Sequence, residues 1–213
     1  MEKNTAELTN SYINEHPYIK YCLKKNLINY SALARLISKE LKIEKTSSKE
    51  AILVAARRVQ TKLKKEIEYE KEINKILTKS EIEIKTKAVV FILEKSINID
   101  LMNKLETTIK KESGFYYNLE GSDNYTIITQ EKYSEEIENN NKNKIKKIKK
   151  NMILINIKSP KEIENIPGII AYLTSLFGEN NVNVYEFLSC WTDTIFIIDE
   201  KDLNKSINFL KFK

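Results

Sequence analysis

The side chains that could carry catalysis are few and far apart in the sequence. His16 is the single histidine, and it directly precedes Pro17, where a polar loop residue at the start of a helix is typical. Asp193 and Glu186 offer two carboxylates, but Asp193 falls in a predicted hairpin turn, where aspartate is favoured for turn geometry. No G-x-S-x-G, Walker or G-x-G-x-x-G motif is present. We therefore expect a protein that is not an enzyme.

The sequence gives equally little support for a metal site or for a disulfide. The two cysteines, Cys22 and Cys190, could pair, but they lie in different predicted domains, and unpaired thiols in a cytoplasmic protein are more typical. With one histidine and no CxxC or HxxxH spacing, we expect no metal and no cofactor. The sequence has no apolar run long enough for a membrane span, and residues Met1 to Thr5 are polar. We expect a cytoplasmic protein without a membrane partner.

The pair Pro167-Gly168 could place a ligand at the start of a helix. Pro167 fixes its backbone φ angle and lacks an N–H, which suits the first turn of a helix. Gly168 has no Cβ, so a carboxylate could closely approach the backbone amides at the helix start. The same pair could instead close a tight turn without binding any ligand, and the local sequence leaves both interpretations open.

The net charge of +6 is concentrated near the N-terminal end of the chain. Residues 1–66 carry 14 Lys/Arg against 7 Glu, a net charge of +7, and residues 142–150 carry 6 Lys and no acidic residue. Residues 67–141 and 151–213 have net charges of −5 and −2. A basic end is what a nucleic-acid partner requires, although charge alone does not identify such a partner.

The first 66 residues follow a helical pattern, with predicted helices at 17–27, 31–41 and 48–66. Ser47 and Glu50 fit a capping box at the start of the third helix. Apolar residues then recur at spacings of three and four up to Ile67. Acidic and basic residues alternate onward to Lys79 without a helix breaker, so the third helix could continue as one long exposed rod.

These three helices resemble a helix-turn-helix in size and order. The third helix carries a row of basic side chains: Lys49, Arg57, Arg58, Lys62 and Lys65. Arg58 and Lys62 are four residues apart, hence on one face, and could contact the phosphates of duplex DNA, with Arg58 also able to read bases. The alternative is a small helical domain whose Lys and Arg side chains form its solvated surface.

Two stretches of about 60 residues repeat the order strand, helix, strand, strand, helix, which indicates an internal duplication. The first has a strand at 82–92, a helix at 99–111, strands at 115–119 and 125–129, and a helix at 132–138. The second has a strand at 152–157, a helix at 169–177, strands at 182–190 and 194–198, and a helix at 201–209. The Asn/Lys-rich stretch 139–150 between them is interpreted as a linker or an exposed edge element.

The second repeat resembles an ACT domain. Three motifs carry the resemblance in the family's order: Asn165-Ile166-Pro167-Gly168-Ile169-Ile170, Asn181-Val182-Asn183-Val184, and Ser189 to Ile198. In ACT domains the proline–glycine turn often holds an amino acid, facing a strand entry across a dimer interface. The resemblance implies a homodimer, and it implies a ligand site formed by Asn165, Ile166, Pro167, Gly168, Ile169, Val182 and Asn183.

The first repeat resembles an ACT module only in its element order, because Ser96 to Asp100 stands where the proline–glycine turn would be. The second repeat reaches Lys213 just after its last helix, so the family's fourth strand is missing or comes from elsewhere in the chain. The stretch Lys144 to Lys149 could supply it as an edge strand.

These patterns predict an α+β fold with two tandem ACT-like modules. A basic, helix-turn-helix-like domain with a long connecting helix would span 1–79. Two ferredoxin-like βαββαβ modules with antiparallel sheets would span 80–141 and 151–213, joined by the linker 142–150.

The leading functional hypothesis is a transcriptional regulator. The ACT modules would sense a small molecule, expected to be an amino acid, and the helical domain would bind DNA. One alternative is a regulatory subunit that controls a metabolic enzyme through protein contacts, without binding DNA. Another is an ACT protein that binds no ligand.

Overall fold

The structure, a computed structural model, describes residues 4–65 and 69–212. It divides into two compact units, Met1–Glu68 and Tyr69–Lys213. The division falls earlier than the predicted boundary between residues 79 and 80. Among the described residues, no helix has the length and apolar character needed to cross a membrane.

The first unit consists of helices α1 (Thr5–Glu15), α2 (Pro17–Lys24), α3 (Tyr30–Glu40) and α4 (Lys49–Leu63). Helix α1 was not predicted, although it has a capping box, in which the Asn4 side chain accepts from the Glu7 amide and the Glu7 side chain accepts from the Asn4 amide. The apolar faces of the four helices meet in one core: Tyr12, Ile13, Leu23, Leu33, Ala34, Ile37, Ile52, Ala56, Val59 and Leu63.

The start and end of α4 differ from the predictions. Ser48, not Ser47, is the N-cap, and its hydroxyl accepts from the Ala51 amide at 3.1 Å. The Ser47 hydroxyl instead hydrogen-bonds the Thr5 hydroxyl at 2.7 Å. The prediction of one continuous rod is wrong, because α4 ends at Leu63 and turns at Lys64. Ile67, which the predicted helix included, lies outside the described residues.

The second unit contains a further short helix and two repeats of strands and helices. Its helices are α5 (Glu70–Leu77), α6 (Ile99–Lys111), α7 (Ser134–Asn140), α8 (Ile169–Glu179) and α9 (Leu203–Phe209). Its strands are β1 (Glu81–Glu94), β2 (Tyr116–Glu120), β3 (Asn124–Gln130), β4 (Ile145–Lys158), β5 (Val184–Cys190) and β6 (Asp193–Asp199). All six strands form one antiparallel sheet in the order β2-β3-β1-β4-β6-β5.

Strands β1 and β4, each 14 residues long, run through both modules. Residues 81–85 of β1 pair with residues 154–158 of β4, and residues 90–93 of β1 pair with residues 145–149 of β4. The first half of β4 is therefore the fourth strand of the first module. The first half of β1 is the fourth strand of the second module, so the chain itself supplies the strand that the sequence lacked after α9.

The predicted linker 142–150 is thus wrong for most of its length, and so is its placement as an edge strand. Residues 145–150 belong to β4, which lies in the middle of the sheet between β1 and β6. Ile145 and Ile148 pack against the core of the first module, while the intervening lysines are exposed or half-buried. Strict alternation would put residues 145 and 148 on opposite faces of the strand. They share one face because the register of β4 against β1 shifts between Ile92 and Leu93.

A residue with left-handed backbone interrupts each long strand near its middle. Lys87 in β1 has φ 54° and Asn151 in β4 has φ 57°. The register of β1 against β4 shifts between Lys85 and Ala88. Ile84 before this bulge packs on the helix side of the second module, whereas Val89 after it packs on the helix side of the first.

Three buried clusters hold the second unit together. The second module's core lies beneath α5, α8 and α9: Ile73, Ile76, Leu77, Ile153, Ile155, Ile157, Ile163, Ile169, Leu173, Phe177, Val182, Phe196, Ile198 and Leu210. The first module's core lies beneath α6 and α7: Val89, Phe91, Leu93, Ile97, Met102, Leu105, Ile109, Tyr116, Ile127, Tyr133 and Ile137. Strands of both modules share the third, on the opposite sheet face: Ala88, Val90, Phe115, Ile128, Met152, Leu154, Ile195 and Ile197.

Candidate ligand-binding groove

The turn before α8 leaves the first amides of that helix without a side-chain cap. A short 3₁₀ segment, Lys161–Asn165, is followed by Ile166 and the Pro167-Gly168 turn. Gly168 is the N-cap residue, with φ 89°, in the left-handed region that favours glycine. It has no side chain, and the helix has no acidic residue in its first turn. The helix start is therefore open to an acceptor from outside the helix.

The corresponding turn of the first module is closed by its own side chain. The Asn98 side-chain oxygen accepts from the amides of Asp100 and Leu101, at 3.1 and 3.3 Å. Asp100 also places a carboxylate in the first turn of α6. An external anion would have to displace the first interaction and would be repelled by the second. Of the two helix starts, the one at α8 is suited to an anionic group.

A groove of about 510 Å³ opens at the α8 start. The described residues that line it come from the 3₁₀ segment, from the first turn of α8 and from the end of β5 with the turn after it: Ile163, Glu164, Ile166, Gly168, Ile169, Ile170, Ala171, Ser189 and Trp191. Isoleucine side chains dominate the lining, and Glu164 is its one charged member. The groove therefore combines an apolar surface, open backbone amides and a carboxylate.

The hairpin turn between β5 and β6 brings Trp191 to this groove. The turn is fixed to the end of β4, because the Ser159 amide donates to the Thr192 carbonyl at 2.8 Å. Trp191 has φ 50°, an uncommon conformation for a bulky residue, and its side chain is 58% exposed. The Lys161 ammonium lies 5.3 Å from the centroid of the indole ring. A large aromatic surface is thus held at the groove while most of it faces solvent.

The residues predicted for the ligand site are only partly brought together. Ile166, Gly168 and Ile169 line the groove. Asn165 and Pro167 are exposed at the same turn but are not among the lining residues. Val182 is 4% exposed within the second module's core, so its side chain is not available to a ligand, and Asn183 is exposed beside it.

Three residues of the groove were not among those predicted for the site: Trp191, Glu164 and Ser189. Glu164 lies only four residues before Gly168, so its proximity could have been inferred from the sequence. Trp191 and Ser189 reach the groove through the β5–β6 hairpin, whose position depends on pairing with β4. No local pattern encodes that pairing.

The two carboxylates considered for catalysis, Asp193 and Glu186, differ in their surroundings. Asp193 accepts from the Asn156 side-chain amide at 2.6 Å and from the Thr192 hydroxyl at 3.0 Å. The bond from Asn156 holds the hairpin to the neighbouring strand β4, and the bond from Thr192 lies within the hairpin. Burial raises the pKa of Glu186 above its ordinary value. His16 lies at the junction of α1 and α2, with its ring stacked on Tyr12 at a centroid distance of 4.0 Å.

The basic side chains predicted to contact DNA lie on α4 and just after it. Arg58, Lys62 and Lys65 are exposed and follow one face of the helix. Arg57 is exposed, with its guanidinium 5.5 Å from the Tyr30 ring centroid, and Lys49 lies in the first turn. Residues 41–48 separate α3 from α4, a longer connection than the turn of about three to four residues in a helix-turn-helix. The structure therefore gives a basic four-helix unit without establishing that motif.

Comparison with known proteins supports the interpretation of the second module. A family model described as an ACT domain matches residues 147–211, which confirms the ACT domain predicted there. No curated protein matches the chain.

The structural relatives include aspartate kinases and their regulatory parts. Clostridium acetobutylicum aspartate kinase aligns with 18% identity and a TM-score of 0.50, over 61% of this chain and 33% of the kinase. A putative C-terminal regulatory domain of Porphyromonas gingivalis aspartate kinase aligns with 14% identity and a TM-score of 0.44, over 62% of this chain and 94% of that domain. The chain spans about a third of the length of the first kinase, and at that identity the likeness is one of fold.

Proposed function

We propose that this chain, an ACT-domain protein, is a regulator that senses an amino acid at the groove beside α8. The observation that carries the proposal is the difference between two helix starts of one duplicated fold. Asn98 caps α6, whereas α8 presents uncapped amides to a groove. A helix start with free N–H groups favours a carboxylate through hydrogen bonds and the helix dipole. Every amino acid carries that group.

A thermal-shift panel of the twenty amino acids on the full chain tests this proposal. A ligand that binds only the folded protein stabilises it, by about 2.7 kcal/mol at a concentration of one hundred times Kd. We expect at least one amino acid to raise the melting temperature, and expect the shift to shrink in Gly168→Ala. If no amino acid shifts the transition, the sensing proposal fails.

We further propose that the helical unit binds DNA, which would make the protein a transcriptional regulator. The net charge of +7 over residues 1–66 and the exposed row of Arg58, Lys62 and Lys65 support this part. Duplex binding should weaken steeply with salt, and Arg58→Ala or Lys62→Ala should each reduce the salt slope by about one unit. Lys104→Ala, an exposed lysine of α6, is the matched control. Absence of duplex binding at low salt would contradict the proposal.

A second candidate function for the helical unit is contact with a partner enzyme. Large apolar side chains on its surface support it, because Tyr18 is 70% and Leu27 is 72% exposed. Retention of a metabolic enzyme through purification, lost on Tyr18→Ser/Leu27→Ser, would favour this candidate. If the native chain and the variant retain the enzyme equally, the surface formed by Tyr18 and Leu27 is not its binding site.

We also propose that the protein is a homodimer. Strands β2 and β5 are the two edges of the sheet, and an unpaired edge can pair with a second copy. Light scattering during size-exclusion chromatography should give twice the chain mass of 24.9 kDa. A monomer mass over the concentrations used for ligand binding would exclude the dimer.

A further inference from the structure

The lining of the groove restricts the side chain of its ligand. Apart from Glu164, Ser189 and the indole N–H of Trp191, the described lining residues offer aliphatic or aromatic carbon and backbone. Ile163 and Ile169 are buried and form the floor that joins the groove to the module core, while Ile166 and Ile170 are half-buried. Such a surface releases water when it is covered by apolar carbon.

Trp191 adds a flat aromatic face to this apolar surface. It is the largest side chain in the lining, and most of its surface is open to solvent in the free protein. The nearby Lys161 ammonium, 5.3 Å from the ring centroid, favours a defined position of the indole. A flat ring can stack on the indole and gain more than its area burial alone provides.

Glu164 is positioned to select for an α-ammonium group. It is exposed, it lines the groove, and it lies four residues before Gly168. A carboxylate bound at the α8 amides and an ammonium bound at Glu164 would match the two charges of an amino acid. With Glu164 occupied in this way, the described lining offers no second acidic partner for a basic side chain, and the nearby cation Lys161 lies against the indole ring.

We infer that the ligand is an L-amino acid with an aromatic side chain, that Trp191 determines this specificity, and that Glu164 receives the α-ammonium. The inference rests on the proposed sensing function and specifies its ligand class. The aromatic ring stacks on Trp191 over the isoleucine floor, and the carboxylate lies at the uncapped start of α8.

Trp191 is the only tryptophan of the chain, so its emission reports directly on the groove. We expect L-phenylalanine to change the emission in a saturable way. 3-Phenylpropanoate lacks the ammonium group and phenethylamine lacks the carboxylate, so both should bind at least tenfold more weakly. L-Lysine and L-aspartate should leave the emission unchanged at the same concentrations.

Two variants, studied by calorimetry, separate the roles of the two side chains. Trp191→Asn removes the ring with little backbone strain, because asparagine tolerates a positive φ. It should weaken L-phenylalanine binding about tenfold and L-alanine binding less than twofold. Glu164→Gln should weaken the binding of L-phenylalanine but not the binding of 3-phenylpropanoate, which has no ammonium group. Glu162→Gln, an exposed glutamate of the same segment outside the lining, is the control and should bind as the native chain does.

The outcomes distinguish this inference from the function on which it rests. If no amino acid binds, the sensing proposal itself fails. If amino acids bind but L-lysine or L-aspartate is preferred, or Trp191→Asn weakens all of them equally, the ligand class is wrong while sensing stands. If the Trp191 emission responds to protein concentration and not to L-phenylalanine, Trp191 is a contact between copies, and the inference is overturned.

Discussion

The side chain of Ile73 lies on the side of Gly168 where a Cβ atom would project. A Cβ atom placed on Gly168 would lie 3.8 Å from Cδ1 of Ile73, an ordinary van der Waals distance. Ile73 belongs to α5, the first element of the second unit, and Gly168 forms the corner of the groove. The helix that precedes both modules in the sequence therefore supports the proposed ligand site in the last one. Each of these two residues can be tested separately.

Substituting the two glycines of α8 and its start by alanine should have opposite effects. Gly168→Ala meets no clash but must keep φ near 89°, which should lower the free energy of unfolding by about 1–2 kcal/mol. Gly178 lies within the helix, and no atom is within 4 Å of the methyl group that alanine would add. Gly178→Ala should therefore raise the free energy of unfolding by about 0.5–1 kcal/mol. Urea denaturation followed by Trp191 emission measures both. Equal effects of the two substitutions would show that backbone conformation at Gly168 is not the cause.

Helix α5 should be an integral part of the second module. Ile73 is 8% exposed and shares a cluster with Ile169 and Leu173, so Ile73→Ala should cost about 2–4 kcal/mol. Lys75→Ala, at an exposed position of the same helix, should change stability by less than about 0.5 kcal/mol. The same denaturation assay applies. A small cost at Ile73, close to that at Lys75, would mean that α5 is only loosely attached.

The helices of the modules could be predicted because the residues that specify each helix lie close together in the sequence. Helix α6 occupies Ile99–Lys111, the predicted range, since apolar residues repeat at helical spacing behind the Asn98 cap. The start of α8 was likewise encoded by Pro167-Gly168. Helix α1 carried a usable start in its Asn4/Glu7 capping box, and the polar composition of the first residues concealed it.

The first half of β4 could not be recognised because its strand character depends on distant partners. Six lysines in residues 142–150 indicate a solvated linker by composition. In the structure, Lys146 donates to the Asp123 carbonyl at 2.9 Å and Lys150 pairs with Glu138 at 3.0 Å. Ile145 and Ile148 alone face the core. The pairing of β1 with β4, more than 50 residues apart, also fixes which half-strand completes each module.

The left-handed residues of the long strands offer a test of how the two modules are joined. Lys87 adopts φ 54°, at the bulge where β1 passes from one module to the other, whereas the equivalent position in β4 is already Asn151. Because asparagine tolerates this conformation, Lys87→Asn should raise the free energy of unfolding by about 0.5–1 kcal/mol. Lys85 is the last regularly paired residue of β1 before the bulge, and Lys85→Asn should lower the free energy of unfolding. Asparagine is disfavoured in strands, and the substitution also removes the contacts of Lys85 with Glu83 and Phe115. A destabilising Lys87→Asn would contradict the strain at the bulge.

The contact between Tyr133 and Glu112 should make part of the stability depend on acidic pH. The Tyr133 hydroxyl donates to the Glu112 carboxylate at 2.7 Å, and Lys132 lies 3.1 Å from the same oxygen. The hydrogen bond from Tyr133, followed by the Lys132 interaction, lowers the pKa of Glu112 below its ordinary value near 4.5. A carboxyl group with a lowered pKa in the folded state stabilises the fold at neutral pH. That contribution is lost as pH falls from the ordinary value through the folded value.

Tyr133→Phe keeps the aromatic ring and removes the donor, so it isolates this contribution. We expect the variant to unfold at a lower urea concentration than the native chain at pH 7, with Trp191 emission as the readout. The difference should shrink as the pH is lowered below about 4.5, because Glu112 then becomes protonated in both proteins. Glu135→Gln, at an exposed position of α7, serves as the control for removing a glutamate charge nearby. A difference between Tyr133→Phe and the native chain that stays constant from neutral to acidic pH would assign the effect to packing of Tyr133 and not to its bond with Glu112.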